Sequence, residues 1–253
     1  EASRPSTFMD LKSDMREQDA NEWWSNTVEI FKSLVEQAGH DIVKRIRGIS
    51  ISSHTVTMLP VDAEGNPLRN GITCQDSRSI EELHYIVETI GYDRFVKIVG
   101  GRPAVAFLPN KILWFKKHEP ELFAKTVCFL QASSFINYKL TAKMTMDIDQ
   151  ATRTQCMDIS TMEWSKEIGD VIGVDLDAML PKPRLVDEII GFVTEEAAEE
   201  TGLEEGIPVI AGCSDAMASM HATGMSRLGE AGESSGTTSL VFVGSDTKSA
   251  PDI

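Results

Sequence analysis

Long apolar runs are missing from this sequence: none approaches the ~18 residues that a membrane-spanning helix needs, so nothing in it reads as a membrane span. Basic residues are scarce as well. Lys and Arg number 24 against 39 Asp and Glu, a formal charge of -15 at pH 7. Nucleic-acid binding relies on clustered Lys and Arg to neutralise phosphates, and this balance argues against it. The acidic excess reads instead as a contribution to solubility. Cysteine is sparse too: Cys74, Cys128, Cys156 and Cys213 are widely spaced, with no CxxC pair. That argues against a disulfide framework or a zinc site and fits reduced thiols in a cytoplasmic protein. His40, His84, His118 and His221 show no metal-ligand spacing. No signal peptide is visible, although the chain starts at Glu1 and not at Met.

What is present suits a folded domain. The 253 residues are 42% hydrophobic and 25% charged, enough for one large domain or two small ones. Residues 1–18 are polar and have no clear period. Asp19 then reads as an N-cap, with Glu22 three residues on as in a capping box, and Gly39 as the stop of the helix. Residues 46–53 alternate as a strand. Residues 56–61 and 68–73, joined by a turn at 63–66, suggest an antiparallel hairpin. Ser79 is expected to cap a helix running to Ile90, with Glu82 completing a second box and Gly91 ending it. Helices are expected at 110–118 and 133–140, around a short strand at 127–130. Thr194 caps a helix that ends at Thr201 and Gly202. Residues 208–212 read as a buried strand leading through Cys213, Ser214 and Asp215 into a helix at 216–222. A polar turn at 234–239 runs into a last strand at 240–243. Alternating helices and strands point to an α/β domain with a mixed sheet.

Three places carry candidate chemistry. Asp215 follows a buried strand and precedes a helix, and ligands in open α/β sheets gather at such carboxyl ends. It is either a base that takes a proton from a hydroxyl or simply a helix cap. The turn at 234–239 either cradles phosphate with its backbone N–H groups or is an ordinary loop. Ser53 and His54 at one strand end, with Asp76 and Arg78 beyond the hairpin, either converge on a polar ligand or form a hydrated strand end. Trp23 and Trp24 sit on a helical face and read as packing residues. The cluster Glu195, Glu196, Glu199 and Glu200 reads as a solvated helix face.

Taken in order, several stretches resemble the FGGY carbohydrate kinase family, and within it the xylulokinase-like members. They are Glu17-Gln-Asp-Ala-Asn-Glu-Trp-Trp24, Gly48-Ile-Ser-Ile-Ser-Ser-His54, Gln75-Asp-Ser-Arg78 and Asn110-Lys-Ile-Leu-Trp114. Further on come His118-Glu-Pro-Glu-Leu-Phe123, Tyr138-Lys-Leu-Thr141, Asp147-Ile-Asp-Gln-Ala-Thr-Arg-Thr154 and Leu180-Pro181. The run closes with Gly202-Leu-Glu-Glu-Gly-Ile-Pro-Val-Ile-Ala-Gly212, Ser214-Asp215-Ala216 and Gly236-Thr-Thr-Ser239.

The resemblance implies a ribonuclease H-like, actin-type ATPase fold with a mixed β-sheet flanked by helices. It implies ATP-dependent phosphorylation of a sugar or polyol hydroxyl, with Asp215 as general base. Ser53, His54, Asp76 and Arg78 would bind the substrate, and Gly236, Thr237 and Thr238 would contact phosphate. The cofactors implied for the full-length enzyme are ATP and Mg2+, with no metal held by this chain. The expected partners are a sugar or polyol, and ATP through a mostly absent C-terminal domain, with neither nucleic acid nor membrane; a homodimer is allowed. Residues 1–231 would form the sugar-binding domain without its first β-hairpin, which in the family carries Asp-x-Gly-Thr. Residues 232–253 would begin the ATP-binding domain. The chain alone is therefore expected to lack kinase activity. The segment 236–243, or a neighbouring chain, is offered as a filler for the place of the missing hairpin.

The departures from the family pattern bear on the substrate. Cys74 stands where the family usually has Trp, and Ser53 where a Met often precedes the His of xylulokinases. Glycerol kinases carry an Arg-Glu pair at Ser53 and His54 and a Tyr near Ala106, so glycerol is disfavoured and a ketopentose or related polyol expected. The rival readings are a non-catalytic sugar-binding module and an unrelated α/β domain.

Overall fold

Two adjacent parallel strands, Ile49–Ser53 and Pro208–Ser214, organise the fold around the candidate site. The computed structural model describes residues 1–235 and 239–246. The strand Pro208–Ser214 lies at the centre of a sheet. Ile189–Phe192 pairs with it antiparallel on one side, and Ile49–Ser53 parallel on the other. The helix Ala132–Thr141 lies against this sheet, and Ala20–Ala38 and Glu195–Thr201 pack on that helix.

Two hydrophobic cores result. Ala20, Trp24, Ile49, Phe135, Leu140, Ala197 and Val209 form the core beside the sheet. Ile86, Phe95, Ile98, Ile112, Phe115, Ile168 and Ile172 form the core of a helical lobe. Successive side chains of a strand face opposite ways, and the antiparallel pair Leu59–Val61 with Cys128–Leu130 uses this to serve both cores. Leu59, Val61, Cys128 and Leu130 enter the first. Met58 and Phe129 enter the second. All six are buried. Full burial of a side chain such as Leu59 or Phe129 contributes roughly 1.5–3 kcal/mol.

The expected helices and their caps largely appear. Asp19 accepts from Asn21 N at 2.9 Å, and Gly39 and Gly91 end their helices at positive φ. Thr194 accepts from Ala197 N, and Gly202 closes that helix in the left-handed region. The two capping boxes do not form. Glu22 Oε1 instead accepts from Thr7 N and Oγ1, which reach it from the preceding segment. Ser79 Oγ accepts from the buried Asn110 amide at 2.7 Å, Glu82 pairs with Lys117, and no side-chain bond caps the helix start.

The expected hairpin of 56–61 with 68–73 survives only as two antiparallel bridges, Met58 with Ile72 and Val61 with Pro67. Each arm takes a different main partner: Leu59–Val61 pairs with Cys128–Leu130, and Gly71–Ile72 with Met15–Gln18. The polar opening stretch holds strands Met9–Lys12 and Met15–Gln18. Ser239–Val243 pairs antiparallel with Ala231–Ser235 in a sheet of its own. The expectation that the last strand fills a place in the main sheet is thus not met. A near neighbour in sequence satisfies its backbone at a smaller loop-closure cost. No helix among the described residues is long and apolar enough to cross a membrane.

Candidate functional site

The parallel register places Ser53 opposite Ser214, so Ser53-His54 and Ser214-Asp215 leave the same edge of the sheet side by side. The register slips between Ile210 and Cys213, where the central strand has an extra residue. Gly212 sits in this bulge at φ +82°, where a Cβ would collide with the Ile51 carbonyl oxygen. Only glycine suits such a backbone. The bulge's polar groups are satisfied: Ala211 N and Gly212 N donate to Glu188 O and Val186 O, and Ala211 O accepts from Asn137 Nδ2. The turn that follows is therefore held on a fixed base.

Asp215 opens the helix Asp215–Ala222 and is exposed. It is not the cap: Ser214 is, its Oγ accepting from Met217 N at 3.2 Å. One Asp215 oxygen accepts from Ala216 N, a local bond that orients the carboxylate. Behind it lies Asp149, buried, whose Oδ2 accepts from both Ser214 N and Ser214 Oγ and whose Oδ1 accepts from Arg153 Nε. A chain of buried groups thus fixes the residue before Asp215. Asp147, nearby, is pushed up to about 6, chiefly by burial, with Asp149 adding to the rise against its bond from Gln150 N.

His54 faces Asp215 electrostatically. Burial lowers the pKa of its ring, the Asp215 charge works against that fall, and the Lys111 charge adds to it. The net fall favours a neutral imidazole near pH 7. Its Nε2 lies 2.9 Å from Thr57 Oγ1, while Thr57 N donates to Gln131 Oε1 at 2.7 Å. Ser53 Oγ accepts from Ser133 N and donates to the His54 carbonyl. Trp23 meets the His54 ring edge-on at 6.2 Å and Phe135 at 6.4 Å, forming an apolar wall beside the histidine.

Asp76 and Arg78 behave differently. Both are buried, and Arg78 makes paired bonds to the Asp76 carboxylate, with Nη2 to Oδ2 at 2.7 Å. Asp76 Oδ2 also accepts from Arg16 N at 2.6 Å. Arg78 pairs with Glu17 at 2.8 Å and lies 4.9 Å over the Trp114 ring. Glu17 in turn pairs with Arg69, which reaches Glu119. Asp76 and Arg78, which the sequence offers as substrate-binding residues, thus stand in a buried ion-paired network. Gly236, Thr237 and Thr238 lie outside the described residues.

Sequence reading singled out Asp215, Ser53 and His54, which the fold does bring to one edge. It did not single out Asp149, Thr57 or Gln131, and it treated Trp23 as packing alone. The only signal for Asp149 was its place in the 147–154 stretch. Among the described residues no group of three or more His, Cys, Asp or Glu side chains converges as a metal site. Magnesium usually takes only one or two carboxylates beside phosphate oxygens and water, and no step below passes through it.

Residues 1–221 match the model of the FGGY family of carbohydrate kinases, N-terminal domain. The chain is 30% identical over 244 residues to a xylulose kinase of Bacillus subtilis, covering 96% of this chain and 48% of that protein. It is also 30% identical over 243 residues to glycerol kinase 1 of Streptomyces avermitilis, covering 92% of this chain and 46% of that one. The crystal structure of xylulose kinase from Rhodospirillum rubrum superimposes with a TM-score of 0.92 at 26% identity, covering 98% of this chain and 51% of that chain. The chain spans about half the length of the curated relatives it matches. The mixed α/β architecture is that of the actin-like ATPase fold of FGGY sugar kinases, as expected from the sequence. The chain belongs to the FGGY family of carbohydrate kinases.

Proposed function

We propose that this chain forms the acceptor-binding part of an ATP-dependent carbohydrate kinase in the cytoplasm, with Asp215 as the general base. The observation that carries the reading is the parallel pairing of Ser53 with Ser214, which sets His54 beside an exposed Asp215 at one strand edge. The similarity to xylulose kinases supports a ketopentose or a related polyol as substrate. The similarity to a glycerol kinase is equally strong in identity, so overall likeness does not choose between them. The choice rests on Ser53 and His54, which stand where glycerol kinases are expected to carry Arg and Glu.

The proposed chemistry is phosphoryl transfer, which depends mainly on positioning and on stabilising charge. ATP would supply the phosphoryl group, with magnesium, through parts of the protein beyond the described residues. Within this chain, the neutral His54 ring and Ser53 orient the sugar, and the Trp23 ring walls one side. Asp215 accepts the proton of the attacking hydroxyl, within the ~2.6–3.2 Å reach that a base needs. Asp149 holds Ser214, and with it the start of the Asp215 helix. The Asp76–Arg78–Glu17 cluster supports the loop behind. In this reading the sugar-binding domain runs to residue 231, and the start of the hairpin Ala231–Ser235 with Ser239–Val243 at that point supports it.

The test uses the full-length protein that contains this chain. D-xylulose-dependent ADP formation is measured for the wild type and for Asp215→Asn, along with D-xylulose binding. Loss of turnover with binding retained supports the reading. Unchanged turnover removes Asp215 from the mechanism.

A further inference from the structure

Lys111 places an amino group in the interior of the helical lobe. It stands in the helix Leu108–His118, wholly buried, beside the core residues Ile112 and Phe115. Burying a charge is costly unless it is paired and hydrogen-bonded. Its Nζ donates to three main-chain carbonyl oxygens: Ala106 at 2.6 Å, Thr73 at 2.7 Å and Val56 at 3.4 Å. An ammonium has three N–H donors and no acceptor, so the three carbonyls complete it.

The carbonyls come from three separate loops. Val56 lies between His54 and Thr57, the two side chains that meet at the candidate site. Thr73 also accepts from Asp76 N, in the turn that carries the buried ion cluster. Ala106 closes a segment whose Arg102 carbonyl is held by Gln155. The Lys111 charge also acts on the His54 ring and opposes its protonation, with Asp215 acting the other way. Burial lowers the pKa of Lys111 to about 7; Cys74 and Asp76 favour the charged form against that fall, and Arg78 adds to it.

We infer that Lys111 is a positioning residue of the sugar site: one ammonium ties the carbonyls of Val56, Thr73 and Ala106 and so fixes the loop that carries His54. Its effect on substrate rests on the kinase reading, whereas the tie itself does not. An apolar side chain of similar length fills the same space but offers the three carbonyls nothing. The loops then lose their common anchor, and the His54 ring loses a nearby positive charge.

The experiment compares the wild-type protein with Lys111→Met by amide hydrogen exchange, by NMR titration of the His54 ring and by D-xylulose binding. The expected result is faster exchange at 54–57, 73–76 and 102–107 than in the 208–214 strand. The His54 midpoint moves to higher pH, and D-xylulose binding weakens about tenfold, the equivalent of ~1.4 kcal/mol. If Lys111→Met does not fold, Lys111→Gln, which keeps two N–H donors, carries the same readouts. Unchanged exchange and an unchanged His54 midpoint in the folded variant overturn the inference. A uniform rise in exchange with an unchanged His54 midpoint overturns it too, because Lys111 is then a general stabiliser. If the wild type binds no D-xylulose while the three loops still loosen, the tie stands and the sugar reading falls.

Discussion

The strand edge that carries Ser53, His54 and Asp215 and the corner that carries Asp76 and Arg78 have similar side chains and opposite fates. At the edge, Asp215 is exposed and His54 has a carboxylate as its electrostatic neighbour without an ion pair that consumes it. At the corner, every charge is met: Asp76 by Arg78 and Arg16 N, Arg78 by Glu17, Glu17 by Arg69. The difference lies in what each backbone approaches. Parallel pairing ends at the edge and leaves the side chains beyond it open. The corner is closed by the strand Met15–Gln18, which brings Glu17 from the start of the chain.

The comparison is sharpened most strongly by Asp215 itself. In the full-length protein, Asp215→Asn is expected to lower kcat by about 10²–10⁴-fold, the usual worth of a general base. Thermal unfolding should place its stability within about 0.5 kcal/mol of wild type, as for exposed surface positions. The corner should respond the opposite way. Asp76→Ala leaves Arg78 buried without its main partner, and denaturant unfolding should show a loss of about 3–5 kcal/mol. If Asp76→Ala instead keeps its stability and loses only sugar binding, the corner belongs to the site after all.

A smaller effect is expected at the bulge that aims the edge. Gly212→Ala forces a side chain into a positive-φ position against the Ile51 carbonyl, and should cost about 1–3 kcal/mol in unfolding experiments. It should also weaken D-xylulose binding, since Ser214 and Asp215 follow the bulge. Wild-type stability and affinity in the Gly212→Ala variant would separate the bulge from the site.

The smallest effect concerns Asp147, which is pushed up to about 6 by burial. A group whose folded pKa lies above its unfolded value near 3.9 favours the folded state most below that value. The contribution fades as pH rises through about 6. Asp147→Asn keeps a capping oxygen for Gln150 N and carries no charge. The stability difference between variant and wild type should therefore shift in favour of the variant as pH rises from about 4 to about 7, read from denaturant midpoints across that range. A pH-independent difference would show that Asp147 does not titrate there.

Much of the fold was legible because its signals are local. Asp19, Thr194, Gly39, Gly91 and Gly202 act within a turn of the helix they bound, and their chemistry does not depend on distant partners. The strands Met9–Lys12 and Met15–Gln18 were not legible, because they lack apolar alternation; Glu17 and Gln18 are buried there, Glu17 through ion pairs. Ser79 looked like a cap, but a distant amide, Asn110, claimed its hydroxyl. The site shows the same division. The succession of strand, turn and helix marked Asp215 as either a base or a helix cap, and only the ordered family resemblance around it pointed to a base. Asp149 was not visible, because its partner Ser214 lies 65 residues away. Nor could the sequence show that Glu17 would reach Arg78 and close the corner.

The most direct measurement is a structure of the protein with D-xylulose bound. The account predicts a sugar hydroxyl within about 3.2 Å of an Asp215 oxygen, another at His54 or Ser53, and Asp76 and Arg78 still paired with each other. A sugar held by Asp76 and Arg78, with Asp215 remote from every hydroxyl, would contradict it.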